Sequence, residues 1–324
     1  MEIVSGSGNW RLTVRREAAG VTILRAATCD ARAVLPERLS GLPVTALASH
    51  ALAPGWQAEG EELLVTCGAS PDADWDNRAL RELTLPPSLT AVGDYALMNC
   101  RSLETLRLRD RVERWGAAVL MNCRSLNTLR LTRAGAQGDA LAYFADELPW
   151  ELDAAIEDAA GGTVLRLIFP EYRENYEENC PAHHFDYTIS GAGYPYHHSF
   201  RNKRLDLRTY DELWPGFLGM EHETESAVRL AFWRLRYPAE LSPRAEERYL
   251  TYLRAHAGEA AAWLAGERDV SHLAFLLQAA PPEGAELSAA CDLARRAGNT
   301  GALALLLEGR RGAAPRGLDK CFDL

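Results

Sequence analysis

Leu80, Leu103 and Leu126 each open an L-x-x-L-x-L segment, and they stand 23 residues apart. The segments are Leu80, Leu83, Leu85; Leu103, Leu106, Leu108; and Leu126, Leu129, Leu131. Comparing 80–102 with 103–125 gives ten identities in 23 positions, including Leu97-Met98-Asn99-Cys100-Arg101-Ser102 repeated as Leu120-Met121-Asn122-Cys123-Arg124-Ser125. An internal period of this length is the signature of a solenoid, because each repeat is too small to bury its own apolar face.

The spacing also says how a coil is built. The last two leucines of each segment alternate, so they share one face of a short strand. Stacking coils at one strand spacing puts each leucine on its counterparts. Leu83, Leu85, Leu106, Leu108, Leu129 and Leu131 should therefore form one buried stack. Leu89, Val92, Ala96 and Leu97, followed by Val112, Trp115, Val119 and Leu120, should close the core from the other side. Gly93 and Gly116 fall at the same place in the coil, where the chain bends with little room for a side chain. Cys100 and Cys123, one coil apart, are expected to stack as small core fillers rather than as a metal or redox pair.

Leu83-Thr84-Leu85-Pro86 and Val92-Gly93-Asp94-Tyr95-Ala96-Leu97-Met98-Asn99-Cys100 resemble the repeat of the bacterial BspA-like leucine-rich-repeat proteins. With Val21 to Leu24, Leu35-Pro36 and Gly41 to Leu47 read as an opening coil, the resemblance covers about residues 10–132. It implies a β-solenoid of about four coils, and adhesion as one role, since members of that family are often surface adhesins. Residues 53–79 break the period. They read as a decorated loop in which Leu63, Leu64 and Val65 could supply a strand.

The chain has 324 residues and a net charge of −10, so its average field repels polyanions and makes nucleic acid a poor partner. No apolar run approaches the ~18 residues of a membrane span. The opening Met1 to Gly6 lacks a charged stretch followed by an apolar one, so the expectation is no secretory signal, no membrane partner and a cytoplasmic protein. The seven cysteines are scattered with no C-x-x-C, which fits reduced thiols in that compartment.

From Ala136 the pattern changes. Ala140 to Ile156 reads as one or two short helices interrupted at Pro149, and Thr163 to Phe169 as a strand ended by Pro170. Phe185 to Ile189 and Tyr194 to Phe200, around Gly191-Ala192-Gly193, suggest a β-hairpin. Five of the eight histidines lie here: His183, His184, His197, His198 and His222. Imidazole with carboxylate or thiolate is how zinc sites are made, which makes His184, His198, His222 and Cys180 the candidate metal ligands. Asp186, Glu221 and Glu223 stand nearby as further candidates. Adjacent histidines on a strand point to opposite faces, and His222-Glu223-Thr224-Glu225-Ser226 has serine where the zinc-protease motif needs its second histidine. The expectation is therefore no metal, no cofactor and no catalytic residue. Gly191-x-Gly193 alone is a turn, and Glu171, Glu174, Glu177 and Glu178 read as a solvated face.

After Glu221 the chain becomes helical. Ala227 to Leu235 recur at helical spacing before Pro238, and Ser242-Pro243 reads as N-cap and first helical residue. Leu273 to Leu277 and Leu303 to Leu307 lie 30 residues apart, with Asp269 and Asn299 as helix starts at equal distance. About residues 260–311 resemble an ankyrin-like helix pair, without the T-P-L-H start.

The expected fold is α+β: a leucine-rich-repeat solenoid with an N-terminal cap (1–137), a small mixed α/β segment (138–222) and a helical, repeat-like module (223–324). Residues 138–156 should pack on the last coil and cover its leucines. The function that follows is a non-enzymatic scaffold or adaptor with an unidentified protein partner, since solenoids offer long surfaces and little enclosed volume. The alternatives are a metal-dependent or Cys/His enzyme centred on residues 180–223, and a cell-surface adhesin.

Overall fold

The computed structural model describes residues 2–6, 8–67, 74–135, 138–179 and 184–313. Contacts divide the chain into two compact units, residues 1–222 and 223–324.

The first unit is a leucine-rich-repeat-like β-solenoid. Strands Arg32–Val34, Glu82–Thr84, Thr105–Arg109, Thr128–Thr132 and Leu152–Glu157 pair in parallel in that order. Leu83, Leu106 and Leu129 stand in register and are inaccessible to solvent. Leu85, Leu108 and Leu131 are buried beside them, so the six leucines form the expected stack. The opposite wall carries the short strands Leu42–Leu47, Ala91–Val92 and Arg114–Trp115, also parallel.

Backbone sterics explain the repeated non-leucine positions. A Cβ at Gly93 would run into the backbone of Ala48 and Ser49, and one at Gly116 into the backbone of Gly93 and Asp94. Asn99 and Asn122 take the left-handed conformation (φ 65° and 63°), which asparagine tolerates better than most residues. The Asn122 side-chain amide donates to Asn99 Oδ1 at 3.0 Å, linking adjacent coils. Cys100 and Cys123 are fully buried, and the Cys123 thiol donates to the Leu97 carbonyl.

At the start, strands Trp10–Glu17 and Gly20–Ala27 form an antiparallel hairpin whose second strand pairs in parallel with Leu42–Leu47. Within residues 53–79, Leu63, Leu64 and Val65 do supply a strand, Glu61–Thr66, which runs antiparallel to Trp10–Glu17. Leu63, Leu64 and Val65 are all buried, so this strand shows no alternation.

At the other end residues 138–156 pack on the last coil as expected, but they are not helical throughout. Ala140–Glu147 is helical, but Leu152–Glu157 is a strand that pairs with Thr128–Thr132 and adds one more coil. The sheet therefore runs on past residue 137. Thr163–Phe169 then returns antiparallel along Leu152–Glu157. Phe144, Leu148 and Leu152 have no exposure, Tyr143 OH donates to the Gly116 carbonyl at 2.9 Å, and Trp150 Nε1 donates to the Leu126 carbonyl at 2.6 Å. These residues lock the added coil onto the preceding one. The expected hairpin is also re-paired: His184–Ser190 runs antiparallel to Arg173–Asn179, while Tyr194–His197 is a helical turn opened by Pro195.

The second unit is helical: Thr224–Arg236, Pro243–Ala255, Ala257–Ala265, Val270–Ala279, Gly284–Arg296 and Thr300–Ala313. Ser242 caps its helix by accepting from the Ala245 N–H. Asp269 accepts from the Ser271 N–H and Asn299 Oδ1 from the Ala302 N–H, so both expected starts cap their helices. Trp233 is fully buried, edge-on to Trp263 and His272.

Candidate functional site

The two faces of the parallel sheet separate core from surface by strand alternation. With the leucines inward, the residues between them face out. One row between the leucines, in register across the sheet, runs Val34, Thr84, Arg107, Arg130, Ala155, Arg166; Ala155 has no solvent exposure, so the open stretch ends at Arg130. The next row towards the strands' C-terminal ends runs Arg109, Thr132, Glu157. Neighbouring positions in a row lie about 4.8 Å apart, and Arg107 and Arg109 are about 6.6 Å apart along one strand.

Val34, Arg107, Arg109 and Arg133 are exposed, and Arg130 is half-buried. Arg166 makes a two-pronged ion pair with Asp153, at 2.7 and 2.6 Å. Arg130 is desolvated, and the charges of Arg166 and Arg107 add to that in holding its guanidinium below the ordinary arginine value. Asp153 and Glu157 act the other way. Six arginines (32, 107, 109, 130, 133, 166) thus meet three carboxylates (Glu82, Asp153, Glu157) on this part of the surface, with Arg32 and Arg166 in ion pairs with Glu82 and Asp153, in a chain whose net charge is −10. Like charges gathered at strand spacing cost electrostatic energy, so the cluster points to an interaction that offsets it.

A cleft of about 290 Å³ opens at the C-terminal ends of these strands, lined among others by Thr84, Arg109, Thr132 and Arg133. Its lining joins these two arginines and two threonines to the apolar Leu85, Pro87, Leu108 and Ala159. Guanidinium forks suit a carboxylate or phosphate.

The residues singled out from the sequence lie elsewhere. Cys180 and His183 fall outside the described residues, and His184 lies at the start of its strand. His197 and His198 are neighbours on a helical turn rather than on a strand. His197 is buried, its ring nitrogens 2.8 and 2.9 Å from the carbonyls of Ala145 and Pro170. His198 is exposed and stacks on Tyr194 with centroids 3.9 Å apart. It borders a cleft of about 760 Å³ that also contains Trp115, Tyr143 and Asp146. His222 rests against Phe217, with Nδ1 2.8 Å from the Met220 carbonyl. Among the described residues, no group of three His, Cys, Asp or Glu side chains could hold a metal ion.

The arginine rows went unnoticed in the sequence although a signal was there. Arg107 and Arg130 occupy the same position of successive repeats, between the two leucines of L-x-L. Once the leucines are assigned inward, that position must face out.

No protein-family model matches this chain, and no curated protein does. Among solved structures it is similar to the crystal structure of a T. pallidum leucine-rich-repeat protein, at 21% identity, 37% coverage of this chain, 68% of that chain and a TM-score of 0.19. The assignment of a leucine-rich-repeat-like solenoid stands on the register, burial and period given above. No helix among the described residues is long and apolar enough to cross a membrane.

Proposed function

We propose that this chain is a non-enzymatic interaction scaffold whose outward sheet face receives a partner protein. The supporting observation is the row Thr84, Arg107, Arg130, which stays accessible although the sheet's other face is packed throughout. Stacked repeats present such faces as continuous, rigid surfaces, which suits recognition of another chain. The repeats read as BspA-like, and about residues 260–311 of the helical module as an ankyrin-like helix pair offering a second surface. A cytoplasmic, bacterial setting belongs to the same reading. Among the described residues, Cys29, Cys67, Cys100, Cys123 and Cys291 are free thiols, which supports a reducing compartment.

The test is obstruction. Thr105→Trp places a bulky side chain on the outward face, one row from Arg107. Capture of partner protein from the native host should drop sharply with this full-length variant and stay unchanged with Met121→Trp, at a solvent-exposed turn. Equal capture by both variants would overturn the reading.

A further inference from the structure

We propose that the partner presents a short acidic segment in extended conformation, whose carboxylates are clamped by Arg107, Arg109, Arg130 and Arg133. This rests on the outward sheet face being the docking surface.

Chemistry, spacing and extent each favour that occupant. Arg107 and Arg109 share one strand and one face, about 6.6 Å apart. Alternate side chains of an extended peptide repeat at nearly the same distance, so carboxylates at its positions i and i+2 meet both arginines. Arg130 stands beside Arg107 in register, and Arg133 follows Thr132 in the neighbouring strand, where it lines the terminal cleft with Arg109. The hydroxyls of Thr84 and Thr132 in that cleft supply further donors.

Strand length and charge both limit the occupant: Thr105–Arg109 is only five residues long, and the strands on either flank carry carboxylates. Three of the four arginines lie on two adjacent strands and Arg133 comes just past the end of the second, a width of about 5 Å between strand axes. On one flank the row meets the Asp153–Arg166 ion pair and Glu157; on the other it meets Glu82, already paired with Arg32 at 3.0 Å. A long polyanion laid over the site would leave the arginines and meet a chain of net charge −10. Two or three carboxylates in an otherwise neutral peptide gain the arginines without that repulsion. Bound carboxylates would also relieve the crowding of Arg130 by Arg107 and Arg166.

The probe is a short, end-blocked fluorescent peptide alternating Glu and Ser, titrated into the full chain and followed by anisotropy. The expected results are saturable binding that weakens with added NaCl and no binding of the Gln–Ser counterpart. Arg107→Glu/Arg109→Glu should weaken it about tenfold or more, as loss of charge-assisted hydrogen bonds does, and bind the Lys–Ser peptide instead. Arg107→Gln/Arg109→Gln, which keeps side-chain volume without reversing charge, should show the loss alone. Unchanged thermal unfolding of both variants separates lost contacts from lost fold. The proposal is overturned if the Glu–Ser peptide fails to bind, if it binds the reversed variant equally well, or if inorganic phosphate or an oligonucleotide of matched charge displaces it at equal or lower concentration. If it is overturned while Thr105→Trp still abolishes partner capture, the face is right and the acidic chemistry wrong. If Thr105→Trp also has no effect, both readings fall.

Discussion

Replacing Leu106 by alanine should be among the most damaging conservative changes in the solenoid. Leu106 has no solvent exposure and lies between Leu83 and Leu129, in register with both and equally inaccessible. Truncation removes three carbons, the Cγ methine and both Cδ methyls, from the middle of this stack. The neighbouring leucines cannot drop into the void, because their strands are held by ladders on both sides. Buried leucine truncations cost about 2–5 kcal/mol, more where the site cannot collapse, so a loss of about 3–5 kcal/mol is expected here. Urea titration with amide exchange read at Thr105–Arg109 and its two neighbours isolates this region from the helical unit. Arg107→Ala, one residue away but facing out, is the control and should change stability by about 0.5 kcal/mol or less. A cost for Leu106→Ala below about 1 kcal/mol would mean that the leucines are not a packed stack.

Gly116→Ala should destabilise by about 1–3 kcal/mol, because the new Cβ meets backbone that a coil cannot move, as equilibrium unfolding would show. Gly298→Ala has open space around it and only the strain of φ 67°, so its cost should stay near 1–2 kcal/mol. Burial pushes the Cys100 thiol up and the Cys123 thiol to about 12, so alkylation of native protein at pH 8 followed by mass spectrometry should modify exposed Cys67 and spare both. Burial holds the His197 imidazole below its ordinary value against the pull of two carbonyls. The unfolded chain then binds the extra proton first. The stability His197 contributes is complete above its unfolded value of about 6.5 and declines as pH falls towards the lower folded value. An NMR titration that finds His197 still charged at pH 7.5 would reverse that sign.

The repeat was legible because leucine fills the same inward positions three times, 23 residues apart. The added coil was not, for a physical reason. Its inward positions are Ala154 and Ile156, its turn is the helix Ala140–Glu147, and Ala154 follows its partner Leu129 by 25 residues instead of 23. A small residue suffices at Ala154 because Leu129 and Leu167 fill the space from either side. Alternation likewise identified a strand near Phe185 but not its partner, since the polar run Arg173–Asn179 has no apolar alternation and only pairing reveals it. The histidines drew attention by composition, yet His197 and His198 serve different environments one residue apart. The arginine rows needed the strand register, and register is what a sequence states least directly.

Site-specific photo-crosslinking from the outward sheet face addresses the central claim most directly. A photoreactive amino acid at position 105 of the full chain, in cells of the native host, should give a covalent adduct with a partner protein, and the same group at position 121 should give none. Adducts from 121 with none from 105 would place the interaction surface elsewhere and contradict this account.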